Sequence, residues 1–321
     1  MKILYLCSKD AFETKMSRVR FHGMQAIGKL CDLTWSGIGW ENYNNDLTVQ
    51  ENINNIYSGQ EKPDIVIAFK PLEMKNFSEV ECLRGIRYNE MYDVPWTLKE
   101  IGESKSNIII CHHYNDMMEY VGRFKGFNEW PLKFISAPHC AEKTVFKDYN
   151  MPKTTDILLV GSIGYRSILG DHYPLRTRMY HLLSKFPKQY RCGYYPHPGG
   201  IHRDAHTSKY AIEFARGINS AKICVTDSGA PNSRFGKYVE VPMCGTALAA
   251  DIPGEQQEQF KEFLIEINMS MTDKEITEKL CYYLDNNKER EELVQKGLDY
   301  TSNYTQEDYA HRLIKELEKV V

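Results

Sequence analysis

The sequence of 321 residues holds no apolar run long enough to cross a bilayer, so no helical membrane span is expected. It has no basic excess: 40 Lys and Arg stand against 43 Asp and Glu, a formal net charge of −3. That balance counts against a nucleic-acid partner, whose binding surface usually shows as an excess of Lys and Arg. There is no Cys-x-x-Cys pair. Nine cysteines, an odd number, are scattered from Cys7 to Cys281, several in apolar segments such as Cys111, Cys224 and Cys244. Thiols so placed behave as small hydrophobes, and the simpler reading is a reducing compartment, hence a cytoplasmic protein. Walker loops, serine-nucleophile motifs and Gly-x-Gly-x-x-Gly are absent, so ATP-type phosphoryl transfer, acyl transfer and dinucleotide binding lack support. The first residues, Met1–Cys7, turn polar too soon for a secretory leader and read as a buried strand.

What is present is an alternation of strands and helices. Fully apolar runs at Lys2–Ser8, Pro63–Phe69, Asn107–His112 and Leu132–Ser136 fit parallel strands covered on both faces. Ser17–Leu30 has helical spacing, and Trp40–Glu61, rich in Asn and Glu, reads as a loop or short helix. A second series follows Asn150–Thr155. It comprises strands at Asp156–Ser162, Tyr190–Tyr195 and Lys222–Thr226, with helices at Pro174–Phe186 and Ser208–Asn219. Helices are expected at Gln257–Ile267, Thr272–Asp285, Lys288–Tyr300 and Gln306–Val321. The expected division is 1–152, 153–305 and a last helix, 306–321. The fold class expected is α/β, two Rossmann-like domains facing a cleft.

The segment Asn232-Ser233-Arg234-Phe235-Gly236-Lys237-Tyr238-Val239-Glu240-Val241-Pro242-Met243-Cys244-Gly245 concentrates the chemistry. Glu240 falls in an apolar helix, and burying a carboxylate there requires a partner. A ribose diol is one such partner; the bland alternative is a solvated Glu on the helix surface, paired with Lys237 one turn earlier. Upstream, Asp227-Ser228-Gly229-Ala230-Pro231 leads into a helix start at 231–234, whose N–H groups would favour a diphosphate.

This stretch resembles the donor-binding segment of GT-B glycosyltransferases of the family 4 and CgeB-like type, with pattern Glu-x7-Glu-Ala-x-x-Cys-Gly-x-Pro-Val. Glu240, Cys244 and Gly245 match in register, and Asn232 stands where the pattern has its first acid. Tyr173-Pro174-Leu175-Arg176 is similar to an element of CgeB-like sequences. The resemblance implies a nucleotide-sugar donor in the C-terminal domain, an acceptor domain before it, and a last helix that packs back on the N-terminal domain. It also implies a site without metal or cofactor, the nucleoside-diphosphate sugar being a co-substrate.

Other candidates stand on the residues themselves. Gly161-Ser162-Ile163-Gly164-Tyr165-Arg166 follows a strand, where glycines let backbone N–H groups approach an anion and Arg166 offers a phosphate fork. His112 and His113, with Asp116, end an N-terminal strand and could exchange protons or hold a sugar hydroxyl; His139 is a lesser candidate. His202 and His206 in a Gly-rich loop lack the spacing of a metal site. With these residues, the resemblance implies one expected reaction, hexosyl transfer from a UDP- or GDP-sugar to a hydroxyl of a glycan or other biomolecule. The family favours retention. His112, His113, Arg166 and Lys237 would be the catalytic groups, and Gly161, Ser162, Gly164, Ser228, Gly229, Asn232, Ser233, Arg234 and Glu240 would line the donor. A GT-B nucleotide-sugar epimerase and a non-catalytic nucleotide-sugar-binding scaffold are the alternatives.

Overall fold

The computed structural model describes residues 1–10, 18–88, 93–115, 117, 133–197 and 207–321. The chain forms two compact units, Met1–Pro138 with Glu307–Val321, and His139–Gln306. Residues 139–151 are held by the second unit. There Ala141 bridges to Thr305, and the Asn219 side chain accepts hydrogen bonds from the backbone of Tyr149 and Met151, both at 3.1 Å.

The first unit is built on a six-stranded parallel sheet. Its strands are β1 (Lys2–Leu6), β2 (Asp32–Ser36), β3 (Ile65–Ala68), β4 (Leu83–Tyr88), β5 (Ile108–Cys111) and β6 (Lys133–Ser136), in the order β2-β1-β3-β4-β5-β6. β1, β3 and β5 are the apolar runs seen in the sequence, and they sit buried inside the sheet. β2 and β4 escape a hydrophobicity reading for physical reasons. β2 is an edge strand with partly exposed side chains, while β4 carries Arg84 and a buried Arg87. Within the Asn-rich segment a helix, Val49–Ile56, starts at a reciprocal cap. Thr48 Oγ1 accepts the Glu51 N–H at 3.2 Å, and Glu51 Oε2 accepts the Thr48 N–H at 2.7 Å.

The second unit has a five-stranded parallel sheet of β7 (Thr155–Val160), β10 (Cys192–Tyr195), β11 (Ala221–Val225), β12 (Ala247–Ala250) and β13 (Ile265–Glu266), in the order β10-β7-β11-β12-β13. A small hairpin, β8 (Arg166–Ser167) with β9 (Gly170–Asp171), follows β7. The single helix expected over 257–267 is instead a short helix, Gln257–Lys261, followed by β13. Ile265 completes the sheet beside Ala249, and that edge pairing outweighs local helical preference. One apolar layer includes Phe214, Tyr238, Val241, Leu248 and Phe260; the other includes Ile157, Leu175, Ile223, Ile265 and Leu280. Both faces are thus covered, as a parallel sheet requires. Buried polar residues gather just past the carboxyl end of β11, at Thr226, Asp227 and Ser228.

Candidate functional site

Asp227 lies two residues beyond β11 and is buried against Arg176, in the first turn of the helix Pro174–Leu183. Arg176 Nε approaches Asp227 Oδ1 at 2.7 Å, its backbone N–H donates to Oδ2 at 3.0 Å, and Nη2 donates to the Asp227 carbonyl at 3.2 Å. The guanidinium carbon lies 3.9 Å from the centre of the Tyr173 ring. Burial lifts the Asp227 carboxyl to about 6, and Arg176 opposes that rise. The same guanidinium packs under the turn after β7: a Cβ on Gly161 would come within 2.7 Å of Nη1, and Nη1 reaches the Ser162 carbonyl at 3.5 Å. Gly161 and Ser162 are therefore brought to Asp227 and the loop it begins. The sequence marks Arg176 and Asp227 only faintly, as an arginine in a helix's first turn and an acid just past a strand.

The loop from Ser228 to Gly236 departs from expectation. The helix starts at Lys237 and ends at Met243, so no helix start lies at 231–234. Gly229 and Asn232 adopt left-handed backbone, with φ of 67° and 55°, which breaks any helix before it forms. The backbone N–H groups there are engaged internally. Ala230 donates to the His172 carbonyl, Asn232 to Gly229, Ser233 to Ser228, Phe235 to Ser233, and Arg234 to the Glu255 carboxylate. A Cβ on Gly229 would stand 2.7 Å from both the His172 carbonyl oxygen and Phe235 Cε2, so this close approach admits glycine alone. Asp251, just past β12, ties the loop down: Ser228 donates from its N–H at 2.7 Å and its hydroxyl at 2.5 Å, and Tyr238 Oη donates at 3.0 Å. Asn232 is exposed, its Oδ1 3.2 Å from Ser228 Oγ, and its carbonyl accepts the Gly254 N–H. Asn tolerates the left-handed region better than most residues, which gives position 232 a conformational reason for its side chain.

Arg234 is turned into the scaffold. Nη1 donates to the His139 carbonyl at 2.9 Å, Nε to Tyr300 Oη at 3.2 Å, and the guanidinium lies 4.3 Å over Tyr304. Ser233 keeps a buried hydroxyl with no hydrogen-bond partner among the described residues.

Glu240 is 4% exposed and pairs with Lys237, 8% exposed, at 2.5 Å between Nζ and Oε2. The partner is the one the bland alternative named, but the pair is buried rather than solvated. Lys237 Nζ lies 4.8 Å from the Phe214 ring. The second carboxylate oxygen, Oε1, is 3.1 Å from where a Gly236 Cβ would sit, and His139 Cε1 is 2.8 Å from that same point. Gly236 thus lets an imidazole and a carboxylate close over one backbone position. His197, two residues beyond β10, is lowered to about 3, by burial first and then by Lys237 and Arg176, with Glu240 opposing. His197 therefore senses the Lys237–Glu240 pair and Arg176 alike, which makes them one electrostatic neighbourhood.

Arg166 and Gly164 are exposed, on and before the β8–β9 hairpin; Gly164 donates to Thr177 Oγ1 at 3.3 Å. His112 and His113 belong to the first unit and are buried just past β5. His112 Nδ1 meets the Ala137 carbonyl at 3.0 Å; since a carbonyl only accepts, Nδ1 carries the proton and Nε2 is the accepting nitrogen of the neutral ring. Asp116, His202 and His206 lie outside the described residues. Among the described residues no cluster of His, Cys, Asp or Glu is arranged to hold a metal ion.

Residues 167–318 match the family model described as Glycosyl transferase-like. Solved structures resemble the whole chain. HepE from Anabaena in complex with UDP-glucose aligns with a TM-score of 0.61 at 9% identity, over 99% of this chain and 100% of that one. A glycosyltransferase from Rickettsia africae gives 0.60 at 10% identity, over 99% and 98%. Sucrose-phosphate synthase from Thermosynechococcus elongatus gives 0.57 at 12%, over 100% and 99%. At such identities the likeness shows the fold, the two-unit parallel α/β architecture of GT-B glycosyltransferases. No curated protein matches the sequence.

Proposed function

We propose that the protein is a glycosyltransferase that moves a hexosyl group from a nucleoside-diphosphate sugar to a hydroxyl of a glycan or other biomolecule. The observation that carries this is the buried Lys237–Glu240 pair on a short helix, inside the segment that matches the Glycosyl transferase-like model. Glu240 has one oxygen on Lys237 and another facing Gly236, and it would take the ribose diol through that second oxygen. Lys237, held beside it, would neutralise the diphosphate as negative charge grows on the leaving group. The turn at Gly161–Ser162, the buried Ser233 hydroxyl, Ser228 and Gly229 would border the diphosphate. Arg166, exposed on its hairpin, would reach it as a mobile cation. His112, with Nε2 as acceptor, would position a sugar hydroxyl, and His113 is its neighbour.

UDP is favoured as the nucleotide because HepE is described with UDP-glucose and shares the fold over the whole chain; GDP-sugars are the second choice. The reaction as proposed uses neither metal nor cofactor and retains anomeric configuration. All nine cysteines are free thiols, which supports a cytoplasmic setting, and no described helix is long and apolar enough to cross a membrane.

The test is release of nucleoside diphosphate from UDP-glucose, UDP-N-acetylglucosamine and GDP-mannose, each with a panel of hydroxyl acceptors. Acceptor-dependent release supports transfer. An isomerised sugar nucleotide with no free diphosphate indicates the epimerase alternative, and tight nucleotide binding without any turnover indicates a binding scaffold.

A further inference from the structure

The first unit carries a buried charge that the donor chemistry leaves unused. Arg87 stands one residue before the end of β4, at the carboxyl edge of the sheet, and is 1% exposed. Its Nε donates to Tyr309 Oη at 3.0 Å, its guanidinium carbon lies 5.4 Å from that ring's centre, and Tyr5 is a further hydrogen-bonding neighbour. Among the described residues no Asp or Glu acts on it, and Nη1 has no hydrogen-bond partner. Strand register puts Tyr5 level with Ile67 and Ile67 level with Gly85, so Tyr5 and Arg87 share one face of the sheet. Tyr309, from the C-terminal helix Gln306–Leu317, covers Arg87, and its ring lies 5.4 Å from that of His112.

Neutral phenols can orient a guanidinium but cannot neutralise it, and a desolvated charge without a counter-charge is costly to keep. Ligands of parallel α/β sheets bind at the carboxyl ends of the strands, which is where this charge sits. An arginine offers a planar fork that fits the two oxygens of a carboxylate or phosphate.

We propose that Arg87, with Tyr5 and Tyr309, forms an anion-binding site that takes a carboxylate or phosphate group on the acceptor. The substrate class is then an acidic or phosphorylated acceptor. This rests on the transferase reading, which assigns the acceptor to the first unit.

Thermal melting of the full chain tests it, with inorganic phosphate, glucuronate, glucose 6-phosphate and neutral glucose, at ionic strength held constant with potassium chloride. Phosphate or one of the acidic sugars is expected to raise Tm saturably while glucose does not, and the responding sugar tells carboxylate from phosphate. Arg87→Met is expected to abolish the shift, and Arg87→Lys, which keeps the charge but loses the fork, to weaken apparent affinity at least tenfold. Glu240→Gln should leave it intact. No anion shift in the wild type, or an equal shift in Arg87→Met or Arg87→Lys, overturns the site; the wild-type arm decides even where a variant fails to fold. UDP in the same series reports the donor site separately, so a failure of either reading shows on its own.

Discussion

Gly229→Ala gives the sharpest check on the packing of the loop that follows β11. An alanine there must take φ near 67°, and left-handed backbone costs an L-residue about 1–2 kcal/mol. Its methyl would also stand 2.7 Å from the His172 carbonyl oxygen and from Phe235 Cε2. The first of these is backbone, anchored by the Ala230 N–H, so it cannot swing aside. Overpacking of this kind adds about 1–3 kcal/mol, for a total of about 2–5 kcal/mol. For a unit of this size that is a fall in Tm of about 4–20 °C, at about 2–4 °C per kcal/mol. Gly164→Ala is the matched control: its φ is 66°, yet nothing lies within 4 Å of the added carbon. It should bear the backbone part alone, about 1–2 kcal/mol. Denaturant titration of both variants measures the difference. Equal losses, or a Gly229→Ala protein as stable as wild type, would refute the close approach.

Two other outcomes follow from the buried charges. Arg176→Met leaves Asp227 buried without its partner and should destabilise by about 3–5 kcal/mol, while the double variant with Asp227→Asn recovers most of it; denaturant titrations in a double-mutant cycle show a positive coupling if the pair acts as described. His172 is fully buried among Tyr165, Tyr173 and Phe235, and burial, then Arg176, lowers its pKa to about 4. The unfolded chain takes up this proton near pH 6.5, so the contribution of His172 is complete above 6.5 and is lost as pH falls toward 4. The loss amounts to about 3 kcal/mol, and His172→Phe should flatten that part of the stability profile; an unchanged profile would contradict it.

Much of the fold was legible because parallel strands buried on both faces read as apolar runs: β1, β3, β5, β7 and β11 all fell where hydrophobicity placed them. β4 hid because a tertiary contact, Tyr309 on Arg87, lets a charged residue occupy a core strand, and no local pattern carries a contact 222 residues apart. β13 hid because a two-residue strand is created by its neighbour rather than by its own sequence. In the site, Glu240 and Lys237 are visible as an acid and a base one helical turn apart; the apolar residues around Glu240 imply its burial, whereas that of Lys237 comes from a neighbouring helix, which sets Phe214 against it. The loop before them was misread as a helix start because left-handed backbone at Gly229 and Asn232 leaves only a faint mark in sequence. Arg176, Asp227 and Asp251 went unassigned for a related reason: each gains its meaning from a partner supplied by another strand end or helix.

The central claim is that Glu240 holds a nucleotide, and calorimetric titration of UDP into wild type and Glu240→Gln tests it most directly. Wild type should bind, and the variant, which keeps the side chain's shape but loses its charge, should bind at least tenfold more weakly, about 1.4 kcal/mol. Equal affinity in the two proteins, or no binding of any nucleoside diphosphate to folded wild type, would contradict the account.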